Sequence, residues 1–222
     1  MMRFSDKTTT GTDLEVKRNI DKIVRLIIAE AQKISPKDKC DAVSEIVRRT
    51  SLYAALHLRM IIDLYDFPIE CIAWISRNLF EMNLIIEYSI QFPEKAKEFA
   101  LQKGSGEKEI LEGILTLNYA ESRDSIVPLQ GRIDHLEGVP KKYGKNNLKY
   151  FTVAEMARKV GMEDEYNAFF KLYSKYVHPS AWLIFAAEEE KANITYKNTF
   201  LLQAQYYSSR ILKICEDWQK LK

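Results

Sequence analysis

Glycine and proline are scarce in this chain, which has 8 glycines and 6 prolines among 222 residues. A β-protein built from many tight turns needs both residues at regular intervals, so this scarcity excludes that class. Histidine and cysteine are rarer still, with 3 of each. Cys40, Cys71 and Cys215 lie far apart and lack C-x-x-C spacing, which fits neither a disulfide framework nor a zinc site. We expect small buried thiols in a reducing compartment, hence a cytoplasmic protein.

Several other features that define common protein classes are missing. Neither G-x-x-x-x-G-K nor G-x-G-x-x-G occurs, so we expect no cofactor. Because histidine and cysteine are so few, we also expect no metal site. No apolar run approaches the roughly 18 residues that cross a bilayer, and the N-terminus lacks the apolar region of a signal peptide. We therefore expect no membrane association. The net charge of +2, from 33 basic and 31 acidic residues, gives no electrostatic argument for a nucleic-acid partner.

Apolar residues recur at helical spacing along most of the chain, whereas the alternation typical of strands is weak. The pattern predicts an all-α fold, an up-down bundle of long helices with shorter connecting helices. We predict a flexible tail over residues 1–12 and a single domain over 13–222. Long helices are predicted over about 13–34, 37–65, 68–91 and 195–220, and shorter ones over about 93–103, 107–125, 153–160, 163–177 and 179–190.

The segment 126–150 is the least regular part of the sequence. Its helix-breaking residues include Pro128, Gly131, Gly138, Pro140 and Gly144. These residues predict an irregular loop with at most a short helix near Arg132–Leu136. Lys141, Lys142 and Tyr143 combine basic and aromatic side chains, a composition that can contact phosphates and stack on bases. The alternative is an ordinary solvated loop.

The predicted helix at 68–91 is apolar around nearly its whole circumference, which is typical of a central helix. Arg77 and Glu81 lie one turn apart on it, beside the large side chains Trp74 and Tyr88. A charge in such surroundings must be paired or serve a purpose. Two interpretations stay open: an intrahelical ion pair lining the bundle, or a functional site walled by Trp74 and Tyr88.

A second group lies near the C-terminal third of the chain. Ser174 and His178 are four residues apart and share one helix face. Because His178 precedes Pro179, the helix must end or kink there. An imidazole at a helix end suits acid–base chemistry near neutral pH, although a structural histidine is the alternative. We predict that Arg77, Glu81 and His178 meet in one cleft, with Ser174 on the His178 side.

These residues resemble two signatures of a family of uncharacterised bacterial helical proteins. The run from Arg77 to Glu81 resembles R-x-x-x-E, and the run from Tyr173 to Ser180 resembles Y-S-x-x-V-H-P-S. The resemblance covers roughly residues 40–215. More distantly, the pattern resembles HEPN-like helical bundles, many of which are ribonuclease toxins or defence effectors. Their usual motif is Arg, a polar residue and a His within one helix; here Met82 stands where that His would be, and His178 is the candidate.

The resemblance implies a metal-independent ribonuclease with a toxin or antiphage role. His178 would act as general base or acid, Arg77 would stabilise phosphate charge, Glu81 would orient Arg77, and Ser174 would orient His178 or the phosphate. The implied partners are an RNA or nucleotide substrate and either a second copy of the chain or a partner protein of a toxin or defence system. The rival hypothesis is a non-enzymatic binding module in which the Arg–Glu–His network is structural. A nucleotide or small-molecule sensor using the same cleft is a third.

Overall fold

A computed structural model describes residues 8–35, 41–117, 123–142, 151–191 and 193–220, and these residues contain helices and no strand. The all-α prediction is confirmed. The helices are α1 (Asp13–Lys33), α2 (Ala42–Asp63), α3 (Ile69–Gln91), α4 (Pro93–Thr116), α5 (Arg123–Lys142), α6 (Val153–Lys159), α7 (Glu163–Val177), α8 (Ala181–Phe185), α9 (Glu188–Lys191) and α10 (Ile194–Lys220). Within the described part of the chain, no helix is both long and apolar enough to cross a bilayer.

The chain forms two compact units. The first unit comprises Met1–Gln91 and Val153–Lys222, and the second comprises Phe92–Thr152. The second unit is thus one uninterrupted stretch between two parts of the first. Sequence periodicity marks helices but does not show which helices pack together, so this division was not visible from the pattern alone.

Helix α3 is the centre of the first unit, as its apolar circumference predicts. It packs against α2, α6, α7 and α10, while α1 covers α2 and α10. Side chains on opposite sides of α3, such as Ile75 and Leu84, are fully buried. The Ser76 hydroxyl donates to the Phe200 carbonyl oxygen at 2.8 Å, which ties α3 to α10 inside the core. A helix buried around most of its circumference must carry its polar residues where they find partners or reach the surface.

Helix α1 begins at Asp13, as the apolar spacing predicts. Thr12 is its N-cap: the Thr12 hydroxyl accepts from the Glu15 N–H at 3.3 Å, and the Glu15 carboxylate accepts from the Thr12 N–H at 2.8 Å. This reciprocal pair is a capping box. Just before it, the Thr9 N–H donates to Gln205 Oε1 at 3.0 Å, so this part of the predicted tail is hydrogen-bonded to α10. Residues 1–7 lie outside the described residues.

The second unit is a helical hairpin, and it contradicts two predictions. The turn predicted at Gly104-Ser105-Gly106 is instead continuous helix within α4, and the loop predicted over 126–150 is helical as far as Lys142. Pairing between the helices accounts for both differences. Lys108 Nζ lies 2.6 Å from Glu137 Oε1, and Arg132 Nε donates to Glu107 Oε1 at 2.7 Å. Interhelical contacts thus override weak local helix propensity. Residues 143–150 lie outside the described residues.

The two described cysteines are free thiols, and they differ in exposure. Cys71 is partly exposed, whereas Cys215 on α10 is fully buried. The Cys215 thiol donates to the Ser51 hydroxyl at 3.1 Å, linking α10 to α2. Burial raises the pKa of this thiol to about 11. Cys215 therefore behaves as the small buried hydrophobe that the sequence predicts; Cys40 lies outside the described residues.

Candidate functional site

Arg77, Glu81 and His178 meet where α3 packs against α7. Arg77 Nε donates to Glu81 Oε1 at 2.8 Å, within α3. On the other side of the same guanidinium, Arg77 Nη1 lies 3.4 Å from His178 Nε2, at the end of α7. The predicted convergence of these three residues is confirmed. It arises because α3 and α7 share a core, which brings positions 101 apart in sequence within hydrogen-bond reach.

The aromatic ring of Phe170 packs against the Arg77 guanidinium. Arg77 Cζ lies 5.2 Å from the centroid of the Phe170 ring on α7, a cation–π distance. Phe170 in turn packs against Tyr166, with ring centroids 4.7 Å apart. The Arg77 side chain keeps 21% of its surface exposed and Glu81 keeps 25%. The guanidinium is therefore held by a carboxylate and a ring while still reaching solvent.

His178 is held by the backbone around Pro179. It is the C-cap of α7, with extended dihedrals φ −120° and ψ 149°, as expected for a residue before proline. Ser180 fixes both sides of this break. Its hydroxyl donates to the Lys175 carbonyl oxygen at 3.0 Å, satisfying an unpaired carbonyl of α7, and accepts from the Leu183 N–H at 3.2 Å, capping α8. The imidazole is exposed at this junction.

The contact between Arg77 and His178 assigns the imidazole proton. A guanidinium can only donate hydrogen bonds, so His178 Nε2 must be the acceptor and Nδ1 must carry the hydrogen. The single lone pair of Nε2 accepts from Arg77 here, so Nε2 can take a proton from a substrate hydroxyl once that N–H turns to a phosphate oxygen. Arg77 beside it retains further N–H donors, which suit a phosphate or carboxylate. The arrangement thus places a base and an anion-binding group side by side.

Other predicted site residues take different positions. Ser174 lies one turn before His178, but its hydroxyl donates to the Lys171 carbonyl oxygen at 2.8 Å, so its hydrogen goes to the α7 backbone. Trp74 lies one turn before Arg77, is 41% exposed, and packs on His57 of α2. Tyr88 is buried and lies eleven residues beyond Arg77, about 16 Å along the α3 axis, too far to wall the same cleft.

The predicted basic segment falls in the second unit. Lys141 and Lys142 are the last two residues of α5, and their side chains lie outside the described residues. Tyr143 lies outside the described residues altogether. Their assignment to phosphate or base contacts therefore stays a prediction.

A second polar cluster, absent from the sequence prediction, joins three helices of the first unit. Arg210 on α10 lies 2.6 Å from Glu87 of α3 and 3.6 Å from Glu165 of α7. The Tyr207 hydroxyl donates to Glu165 at 2.9 Å. Burial alone would lower the pKa of Arg210, but Glu87, Tyr206 and Glu165 together outweigh it and the pKa is raised. No spacing rule could have found residues so far apart in sequence, and the cluster ties α3, α7 and α10 together.

Cation sites are not evident in the part of the chain that the structure describes, which contains no group of three or more His, Cys, Asp or Glu side chains arranged to hold a metal ion. The chemistry available at the α3–α7 contact is that of a guanidinium, a carboxylate and an imidazole. Phe170 is the residue there that the sequence missed. It lies in an aromatic stripe with Tyr166 and Tyr173, and nothing in the pattern separates a ring under an arginine from a ring in the core.

The fold and this contact define a class: an all-helical protein with an Arg–Glu pair on a central helix facing a histidine at a helix end. The chain belongs to a family of unknown function, DUF5677, whose model matches residues 70–192, more than half of its length. The matched stretch includes Arg77, Glu81 and His178. No curated protein and no solved structure matches the chain.

Proposed function

We propose that this protein is a HEPN-like, metal-independent endoribonuclease that acts as a toxin or antiphage effector. The observation that carries the proposal is the 3.4 Å separation between Arg77 Nη1 and His178 Nε2 at an exposed helix end. A phosphodiester needs both a group that binds its charge and a group that moves a proton, and this contact supplies one of each. The toxin or antiphage setting, in a bacterial cell, is supported by the resemblance to HEPN-like bundles.

The RNA itself supplies the nucleophile in this mechanism. His178 Nε2 takes the proton of a ribose 2′-OH while the 2′ oxygen forms a bond to the adjacent phosphorus. The bond from phosphorus to the 5′ oxygen then breaks, and the departing 5′ oxygen takes a proton from water. The products are a 2′,3′-cyclic phosphate and a 5′-hydroxyl, and His178 returns its proton to solvent. DNA lacks the 2′-OH and should not be cleaved.

Arg77 stabilises the charge that gathers on the phosphate oxygens during this step. A guanidinium offers several N–H donors in a fixed plane, so two of them can contact two phosphate oxygens together. Glu81 and Phe170 hold that plane in place before the substrate binds. Preorganised donors are effective because they need no rearrangement at the moment of reaction.

The exposure of His178 favours this function over a purely structural network. Ion pairs and polar contacts that remain open to solvent contribute only about 0–1 kcal/mol to stability. Arg77 and Glu81 keep part of their surface exposed, and His178 is exposed. An arrangement that contributes so little to the free energy of folding is better explained by a catalytic role than by a structural one. The resemblance further favours a homodimer, or a complex with a partner protein, which light scattering on the purified protein would measure.

The test is His178→Ala, with His135→Ala as the matched control because His135 is also an exposed helical histidine. Both variants and the parent are incubated with a fluorescent single-stranded RNA in the presence of EDTA. We expect His178→Ala to lose about 10²- to 10⁴-fold in cleavage rate, the usual value of general acid–base catalysis. His135→Ala should cleave like the parent, and both melting temperatures should stay within about 2 °C of it. Undamaged RNA with the parent protein, or equal rates for parent and His178→Ala, would contradict the proposal.

A further inference from the structure

We infer that Tyr53 and Trp74 form a base-stacking subsite for single-stranded nucleic acid, one turn from Arg77. This inference rests on the proposed function, since it describes where the bases next to the cleaved phosphate would lie. It goes further by naming the substrate class as single-stranded and by assigning residues of α2 to its binding.

The two rings lie on adjacent helices and are joined by a buried histidine. Tyr53 packs edge-on against His57, with ring centroids 4.3 Å apart, and His57 packs against Trp74 at 5.3 Å. His57 is only 3% exposed, whereas Tyr53 is 55% exposed and Trp74 is 41% exposed. The three rings thus form one layer whose two ends are open to solvent. Leu56, 57% exposed, extends this apolar surface on α2.

This surface is continuous with the candidate site through α3. Trp74 and Arg77 are three residues apart on one helix, which makes them neighbours on its surface, with Cβ atoms about 5–6 Å apart. Arg77 reaches from there to His178 on α7. A phosphate bound by Arg77 therefore has an exposed indole within the reach of the attached nucleotide. Stacking on exposed aromatic rings, beside a basic group that holds the backbone, is how proteins bind unpaired bases.

A second exposed apolar surface lies on α8, which follows His178 in the chain, and the charge beside it is wrong for nucleic acid. Ile184 and Phe185 on α8 are 60% and 86% exposed. After two alanines come three exposed acidic residues, Glu188, Glu189 and Glu190. The Tyr53–Trp74 surface has basic residues along its helices instead: Arg77 lies one turn after Trp74, and the exposed Arg49, which pairs with Glu45, lies one turn before Tyr53. A basic border attracts phosphates, and an acidic border repels them.

The class of ligand follows from the geometry of stacking. Stacking on a protein ring needs a base whose face is not already covered by another base, so duplex RNA is a poor ligand and loops or single strands are good ones. Every base has a flat face, so little sequence preference is expected from these two rings.

The test uses a probe that binds but cannot be cleaved: a fluorescein-labelled oligodeoxyadenylate of about 12 nucleotides, within the usual length of such sites. DNA lacks the 2′-OH, so fluorescence anisotropy reports binding alone. We expect Trp74→Ala and Tyr53→Ala each to weaken binding about 5- to 150-fold, the usual effect of removing a stacking ring. Trp74→Phe keeps a ring and should stay within about 3-fold of the parent by the same reasoning. Phe185→Ala is the matched control on the acidic surface and should bind like the parent.

The outcomes separate this inference from the proposed function. If the oligonucleotide binds through Trp74 while RNA is never cleaved, the subsite stands and the nuclease proposal fails. If RNA is cleaved but Trp74→Ala and Tyr53→Ala bind the oligonucleotide like the parent, the subsite is overturned and the nuclease stands. Loss of binding in Phe185→Ala instead of Trp74→Ala would also overturn it. Because each of the two side chains has roughly half of its surface exposed, circular dichroism of the variants should match that of the parent.

Discussion

Arg77 Nη1 lies 3.4 Å from Nε2 of His178, across the packing between α3 and α7. Neither residue belongs to a local motif that contains the other, and each is restrained separately. Glu81 and Phe170 restrain the arginine, while Pro179 and Ser180 restrain the backbone of the histidine. The contact therefore exists before any substrate arrives, and its parts can be tested one at a time.

Replacing Arg77 by lysine should remove activity while leaving the fold intact. A lysine keeps the positive charge but has a single compact ammonium, which cannot contact Glu81, two phosphate oxygens and the Phe170 ring in one plane. We expect Arg77→Lys to lose about 10²- to 10³-fold in the rate of RNA cleavage, measured with saturating substrate, on the scale of losing one charge-stabilising donor. The change in the free energy of unfolding should be about 0–1 kcal/mol, because the pair is partly exposed.

Arg210→Ala is the contrasting control for the arginine prediction. Arg210 joins Glu87 and Glu165, so its removal leaves two carboxylates at the junction of α3, α7 and α10 without their cation. We expect the free energy of unfolding, measured by urea melts, to fall by about 2–4 kcal/mol. This is close to, or slightly below, the cost of breaking a fully buried ion pair. If Arg77→Ala destabilised the protein as much as Arg210→Ala, the Arg77 network would be structural and the nuclease reading would lose its main support.

The same substitution, glycine to alanine, should have opposite effects at two positions. Gly106 lies inside α4, and a Cβ added there meets no atom within 4 Å, so alanine should stabilise the hairpin by about 0.5–1 kcal/mol. Gly161 follows α6 with φ +76°, and although space is also open there, alanine should cost about 1–2 kcal/mol. Thermal melts of the two variants measure both signs. Equal effects of the same sign would show that one of these backbone conformations is wrong.

Cys215 should make the protein less stable at alkaline pH. In the folded state burial raises the pKa of its thiol to about 11, from an ordinary value near 9. Between pH 9 and 11 the unfolded chain has therefore lost a proton that the folded chain keeps. The unfolded state is favoured as pH rises, by up to about 1.4 kcal/mol for each pH unit in that window, and stability is highest below pH 9.

The measurement is a series of urea melts from pH 8 to pH 10, compared with the same series for Cys215→Ala. The free energy of unfolding of Cys215→Ala should fall less steeply with pH than that of the parent, whatever its value at pH 8. Buried tyrosines such as Tyr207, whose pKa burial also raises, add to the fall above pH 10, which is why the series ends there. In the parent, iodoacetamide should modify Cys71 faster than Cys215. Parallel slopes for parent and variant would contradict the prediction.

The long helices of the first unit were predictable because each carries an apolar stripe that repeats with helical period over twenty residues or more. The helical hairpin of α4 and α5 was not predictable in this way. Gly104, Gly106 and Pro128 are weak helix formers, and only their packing partners keep them helical: Glu107 pairs with Arg132, and Lys108 with Glu137. Pairs between different helices have no signature in a single sequence, so local propensity led to a turn and a loop where the structure has helices.

The residues of the candidate site also divide into those that the sequence could predict and those that it could not. Arg77 and Glu81 were visible because charges on an apolar helix are conspicuous, and His178 because a proline follows it. Their meeting could be argued from shared core packing. Phe170 and Arg210 could not be found, since one looks like any core aromatic and the other like any surface arginine until α3, α7 and α10 are placed together. Tyr88 was assigned from helix angle alone, which ignores the distance along the axis.

The hairpin of α4 and α5 enters the chain between the two halves of the unit that holds Arg77 and His178. The number of residues between arginine and histidine is therefore set largely by the length of an element that belongs to the other unit. Lengthening or shortening that element by whole turns would change the count while α3 and α7 stay packed as they are. A search for related proteins that demands a fixed gap between the two residues would miss members. A search for two short patterns, one around Arg77 and Glu81 and one around His178-Pro179-Ser180, with an unrestricted gap, would recover them.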